Sequence, residues 1–213
     1  MRRIYMIECM TVGDMIPTNA YFYIDDTTQH GFLIDAGAEG ARLAAYAEKH
    51  GWTIERLLLT HCHFDHIGGA AEFSTRTGAP IYAAEDSPRY YSDPRWNLSL
   101  WGGGSVTLSD VTTFADREVI ALAANPAVAL EVRYTPGHTT DSCIFYSARD
   151  GVAFVGDTIF CASVGRTDFP GGDEQMLWDS IAREVFTLPP ETVLYSGHTE
   201  PTTVGAEMAR YRR

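Results

Sequence analysis

Apolar residues along this chain come in short runs separated by polar turns, and the spacing inside the runs alternates between that of strands and that of helices. Ile4–Cys9, Ala20–Asp25 and Gly31–Asp35 predict three short strands, the last two joined by a polar turn at Asp26-Thr27-Thr28. Ala41 to His50 follows, with Leu43, Ala44, Tyr46 and Ala47 at helical spacing and Gly51 as its stop. Arg56–Leu59 predicts a short strand that runs straight into a polar island. Beyond Gly68-Gly69, Ala70 to Thr77 predicts a helix and Pro80–Ala83 a strand. The second half repeats this style, with strands at Glu118–Leu122, Ala129–Tyr134, Ser142–Tyr146, Val152–Val155 and Val193–Tyr195. Its helices fall at Glu174 to Phe186 and Val204 to Tyr211. Clusters of strands, each followed by helices, predict an α/β sandwich: two sheets face to face with helices outside.

Residues 85–116 break the pattern. They carry Pro88, Pro94, the aromatics Tyr90, Tyr91, Trp96 and Trp101 and a Gly102-Gly103-Gly104 run, which suits either a substrate lid or a packed surface loop. No linker or repeat divides the 213 residues, so one domain spanning 1–213 is expected. No apolar run approaches the roughly 20 residues of a membrane helix. The charged start, Met1 to Glu8, has too short an apolar run for a secretory leader and fits a first strand. The net charge of −12 argues against a nucleic-acid partner, because phosphate recognition needs a basic face. Cys9, Cys62, Cys143 and Cys161 show no paired spacing, so reduced thiols in a cytoplasmic protein are expected.

Five of the seven histidines gather in polar islands at predicted strand ends, while His30 and His50 lie outside them as surface residues. The densest island is His61-Cys62-His63-Phe64-Asp65-His66. One histidine after a strand is most often a satisfied core or surface residue. Three with an aspartate in so short a stretch offer the imidazole and carboxylate donors that hold zinc, iron or manganese. In an extended segment alternate side chains share a face, so His61 and His63 can grip one ion while Cys62 points away. Asp65 and His66 follow where the chain turns toward Gly68-Gly69 and can reach a second ion. Gly137-His138, Gly156-Asp157 and Gly197-His198 each place a glycine directly before one donor at the end of an apolar run. Alone, each is an ordinary turn; jointly they aim their donors at one point above the strand ends.

Thr60-His61-Cys62-His63-Phe64-Asp65-His66, followed by His138, Asp157 and His198, resembles the metal set of the metallo-β-lactamase superfamily. The resemblance spans nearly the whole chain and implies an αββα sandwich of two mixed sheets with helices on the outer faces. It implies two divalent cations, zinc first and iron or manganese as other suitable ions. His61, His63 and His138 would hold one, Asp65, His66 and His198 the other, with Asp157 bridging. A hydroxide between the metals would attack a carbonyl carbon, and Asp65 is the expected catalytic residue that orients it and carries a proton. Gly156-Asp157-Thr158-Ile159-Phe160 and Gly165-Arg166-Thr167-Asp168-Phe169-Pro170-Gly171-Gly172 are similar to single-domain relatives of glyoxalase II, the hydroxyacylglutathione hydrolases. That implies a small-molecule thioester or ester substrate such as S-D-lactoylglutathione.

Three departures weaken the match to glutathione. Only fifteen residues follow His198 in this sequence, so the helical C-terminal domain of glyoxalase II is expected to be missing. Arg166 stands where that family has a glutathione-contacting lysine, and it can meet either a substrate carboxylate or its own neighbour Asp168. Glu200 replaces a tyrosine and would repel a glutathione carboxylate. Other classes stay open: an iron-dependent persulfide dioxygenase, which shares the Thr60–His63 run and the Gly165–Phe169 stretch and uses one iron, and a hydrolase of another ester or lactone.

Overall fold

The computed structural model describes residues 5–102 and 104–211. The start of the predicted first strand at Ile4 and the middle glycine, Gly103, of the triple-glycine run lie outside the described residues. In chain order the first half contains β1 (Tyr5–Val12), β2 (Thr18–Asp25), β3 (His30–Ile34), α1 (Gly40–His50), β4 (Thr53–Leu58), α2 (Phe64–Ile67), α3 (Ala70–Thr77), β5 (Ile81–Ala84), α4 (Pro88–Ser92) and β6 (Val111–Phe114). The second half contains β7 (Val119–Ala121), β8 (Ala129–Tyr134), β9 (Cys143–Ser147), β10 (Val152–Gly156), β11 (Ile159–Phe160), β12 (Ser163–Val164), α5 (Glu174–Ser180), β13 (Val193–Ser196), β14 (Thr202–Thr203) and α6 (Val204–Tyr211).

Strands β1 to β6 form one six-stranded sheet in sequence order. Its first three strands are antiparallel neighbours, and β3 to β6 run parallel. The second six-stranded sheet has the order β14-β13-β10-β9-β8-β7 and is antiparallel except where β10 pairs β13. Both sheets are mixed, as the sequence resemblance implies.

The period of two along each strand divides its side chains between layers. Phe22 and Ile24 of β2 join Leu43, Ala47 and Phe73 in a core between the first sheet and helices α1 and α3. Tyr21 and Tyr23 of the same strand face Phe145 and Phe154 between the sheets. Ile144, Ala153 and Val155 turn to the far side, where Leu177, Ile181 and Val204 cover them. These three apolar layers make the αββα sandwich, and each fully buried Phe or Leu contributes about 1.5–3 kcal/mol. Strands buried on both faces show apolar runs rather than clean alternation.

Most predicted elements occur within a residue or two of their expected ends. Helix 174–186 is different: α5 gives way to one π-helical turn over Ile181–Val185, where Phe186 N–H donates to the Ile181 carbonyl five residues back. The short elements α2, α4, β6, β11, β12 and β14 were not anticipated. No helix among the described residues is long and apolar enough to cross a membrane.

Candidate metal centre

Strand β4 ends at Leu58, the chain bends at Thr60, and His63, extended at φ −67° and ψ 151°, stands at the start of α2. The single turn of α2 then swings Asp65 and His66 toward the side on which His61 and His63 already lie. On the second sheet His138 follows β8, Asp157 follows β10 and His198 follows β13. The seven residues singled out in the sequence therefore meet where the ends of both sheets converge. Donor atoms of His61, His63 and His138 lie within 4.8 Å of one another, as do those of His61, His66 and Asp157, and those of Asp65, His66 and His198.

Asp157 joins these groups. Its Oδ1 is 3.3 Å from His66 Nε2, and its Oδ2 is 3.6 Å from His138 Nε2 and 3.2 Å from His198 Nε2. Asp65 Oδ2 lies 3.3 Å from His198 Nε2 and 3.7 Å from His66 Nε2. The glycines before these donors act in two ways. Gly137 and Gly156 sit at φ 138° and 47°, backbone that side-chain-bearing residues rarely adopt. Gly197 instead permits close approach, since a Cβ there would strike Asp157 Oδ1 and come within 2.7 Å of His66 Cε1.

Backbone and side-chain partners fix the imidazole faces. His138 Nδ1 donates to the Arg166 carbonyl at 2.6 Å and His198 Nδ1 to the Pro17 carbonyl at 2.9 Å, so both direct Nε2 inward. His66 Nδ1 lies 2.8 Å from Asp35 Oδ2. Asp35 also accepts from the Thr60 N–H and hydroxyl, at 2.8 and 2.7 Å, and holds the left-handed φ of 58°. Sequence reasoning missed Asp35 because one aspartate after a strand looks like any turn. Its signal was the Asp35-Ala36-Gly37 sequence ending a strand parallel to the one that feeds the histidine island.

The donor set fits divalent cations. His61 Nε2, His66 Nε2 and Asp157 Oδ1 are buried without hydrogen-bond geometry to any partner, a costly arrangement for polar atoms unless an ion engages them. His63 Nδ1 and His138 Nε2 face each other at 3.0 Å although His138 already donates through its other nitrogen. The electrostatics agree. Burial disfavours charge on His198, but Asp157 and Asp65 raise its pKa to about 10. Burial likewise opposes charge on His66, and Asp157, Asp35 and Asp65 overcome it. His63 is pushed down to about 3 by burial and by His138. The carboxylates thus demand positive charge at the centre of the cluster.

Cys62 is fully buried in the core beneath the first sheet, turned away from the donors as expected, and burial pushes its thiol well up. Its N–H donates at 3.1 Å to Asp141, a buried carboxyl that also accepts from Ser87 and that burial pushes up to about 6. Arg166 lies at the rim, in a two-bond pair with Asp168 at 2.9 and 2.7 Å and over the ring of Phe169. The cavity above the donors holds about 220 Å³, and Ile16, Phe64, Leu98, Phe160 and Phe169 wall it. A larger hollow of about 450 Å³ beside α1 is lined by Ala44, Trp52 and Arg76 and gathers no such donors.

The profile of the metallo-beta-lactamase superfamily matches residues 13–198. The chain belongs to that superfamily. This superfamily member is 34% identical over 201 residues to the probable metallo-hydrolase YqgX of Bacillus subtilis, covering 93% of this chain and 92% of that one. It is 29% identical to the hydroxyacylglutathione hydrolase GloC of Haemophilus influenzae, over 91% and 93% of the two chains. Among solved structures it is similar to the BLEG-1 B3 metallo-beta-lactamase, with TM-score 0.89, 31% identity and coverage of 96% and 97%. It also resembles TTHA1623 in a di-iron-bound form, with TM-score 0.83, 30% identity and coverage of 94% and 96%. The match to ETHE1 from Myxococcus xanthus has TM-score 0.76 and 25% identity, over 98% and 84% of the chains.

Proposed function

We propose that this protein is a metal-dependent hydrolase of a small-molecule thioester, a reaction of which the hydrolysis of S-D-lactoylglutathione is one example. The observation that carries the reading is Asp157, whose two oxygens reach donors belonging to both candidate metal groups. His61, His63 and His138 would hold one divalent cation, and Asp65, His66 and His198 a second. Zinc, iron and manganese all suit these nitrogen and oxygen donors. When bound, such cations supply Lewis acidity, polarising a carbonyl and bringing the pKa of a water from 15.7 toward about 7.

The chain's own residues do the rest. Asp65 takes up the proton that the attacking water loses. The water oxygen bonds to the thioester carbonyl carbon, the carbon–sulfur bond breaks, and the thiol leaves with a proton. Asp35 keeps His66 in one tautomer and orientation. The likeness to a hydroxyacylglutathione hydrolase and to a di-iron structure supports both the reaction type and the metal count.

An iron-dependent persulfide dioxygenase is the second reading, favoured by the likeness to ETHE1. The two separate on metal stoichiometry and oxygen uptake. Purified protein reconstituted with zinc, manganese or iron is expected to bind two ions per chain and to hydrolyse a thioester without consuming oxygen. One iron per chain with oxygen uptake on a persulfide would replace the hydrolase by the dioxygenase.

A further inference from the structure

The walls of the cavity above the candidate metal centre come from five separate segments, and all five bring apolar side chains. Ile16 comes from the β1–β2 loop, Phe64 from α2, Leu98 from the segment after α4, Phe160 from β11 and Phe169 from the loop before α5. The segment after α4 is held in place rather than hinged. Phe64 N–H donates to the Asn97 carbonyl at 2.8 Å, and the buried Asn97 side chain donates to the carbonyls of Tyr90 and Val106. Leu98 itself holds the left-handed φ of 67°, costly for a leucine, and strain of that kind concentrates where a side chain must be aimed. One residue before Ile16 and three after Leu98 the chain exposes Met15 at 67% and Trp101 at 71%, so apolar surface continues along the same loops.

Charge other than that of the donor cluster is scarce by comparison. Arg166 is the one lysine or arginine lining the cavity among the described residues, and Asp168 engages it through two nitrogens. A second hollow of about 350 Å³ that also touches His198 is lined by Cys9, Tyr21, Tyr195 and Glu200 and, among the described residues, by no lysine or arginine. Among the described residues lining these two hollows, Arg166 is thus the one lysine or arginine offered to a leaving group with carboxylates, and it is already paired; the whole chain carries −12. Size points the same way. At about 220 Å³ the cavity is smaller than the ~300–1,000 Å³ pockets that enclose drug-sized ligands, so it takes part of a substrate, not all of it.

Resting on the thioester-hydrolase reading, we infer that this cavity is an acyl subsite, selecting thioesters of a small apolar acyl group on a neutral thiol over anionic glutathione thioesters. The acyl chain lies among Phe64, Leu98, Phe160 and Phe169, with its carbonyl toward the donors, and the thiol portion stays outside.

The test is a series of acetyl, propionyl and butyryl thioesters of N-acetylcysteamine, a neutral thiol, beside S-D-lactoylglutathione, all with the metal-loaded protein. The expected result is a rise in kcat/KM of about fourfold per methylene, the factor that burying a methylene supplies. Calorimetry with the non-hydrolysable S-methyl and S-butyl thioethers of the same thiol should show the same preference as binding. Leu98→Ala should flatten the series, and Phe169→Leu serves as the second, milder change to the wall. A flat or falling series with S-D-lactoylglutathione preferred overturns the acyl subsite and leaves thioester hydrolysis standing. No hydrolysis of any thioester overturns both.

Discussion

The first sheet brings four candidate ligands from one continuous stretch, His61 to His66, whereas the second brings one each from three strand ends, His138, Asp157 and His198. The first group is positioned locally. The His61–His63 segment, the single turn of α2 and the Asp35 carboxylate behind His66 suffice. The second group depends on how strands pair. The register between β10 and β13 shifts between Phe154 and Gly156, which sets Gly156 opposite Ser196 and so brings Asp157 close to Gly197 and His198. One group is therefore written in a short stretch of sequence, and the other in sheet register. Asp157 is where the two are joined.

Breaking that join should have the largest effect. Asp157→Ala is expected to lose at least one metal ion per chain and at least about 100-fold in hydrolysis, more than the loss of an outer partner of a ligand brings. Circular dichroism should still report a folded chain. Metal content equal to that of the unaltered protein would remove Asp157 as the shared ligand.

Asp35→Asn tests the local group. Asparagine tolerates the left-handed backbone at this position but cannot accept from His66 and Thr60 as a carboxylate does. A fall of about 10–100-fold in metal affinity is expected, measured by competition with a chelator. An unchanged affinity would show that α2 alone orients His66.

Removing metal should expose the charge demand of the cluster. The pKa of His198 in the fold is raised to about 10, above its ordinary 6.5, so its contribution to stability is fully present below about pH 6.5 and lost as pH rises through 10. The Tm of metal-free protein should therefore fall between about pH 7 and 10, while metal-loaded protein should lack that fall because a cation keeps its charge. Identical pH profiles would contradict a cation among these donors.

The smallest effect is expected for Cys62→Ser. The side chain lies in the core, near Ser87 and Asp141, so hydrolysis should stay close to normal with a stability change of about 1 kcal/mol. A large loss of turnover with unchanged Tm would give the thiol a part in the chemistry.

The layered fold and the seven donors were legible because both rest on local signals. Ala129–Tyr134 and Val204–Tyr211 are bounded by turn residues and occur as predicted, and the histidine island follows directly on the apolar β4. What the sequence hid depends on contacts between distant residues. Val111-Thr112-Thr113-Phe114 becomes a strand only because β5 lies beside it, and Pro88–Ser92 becomes a helix inside a stretch whose prolines suggest loop. Asp35 acquires its role from Thr60 and His66 across the sheet end. Nor does spacing separate an α from a π turn over Ile181–Val185, since both bury Ile181 and Val185. Residues 85–116 left lid and packed loop open; Asn97 and Tyr90 make the part around them a packed wall.

The two sheets are also laced together at the site by bonds that involve no donor atom of the cluster. Cys143 N–H donates to the Thr60 carbonyl at 2.8 Å, Asn19 N–H donates to the Gly197 carbonyl at 2.7 Å, and the Tyr21 hydroxyl donates to the Ser196 carbonyl at 2.7 Å. A cradle fastened in this way is preorganised: the entropy of gathering its ligands is spent during folding, and little rearrangement is left for the moment of loading. It also presents the same nitrogen and oxygen geometry to every arriving ion. If the ions are zinc, manganese or iron, little of the choice among them would then come from rearrangement of the donors.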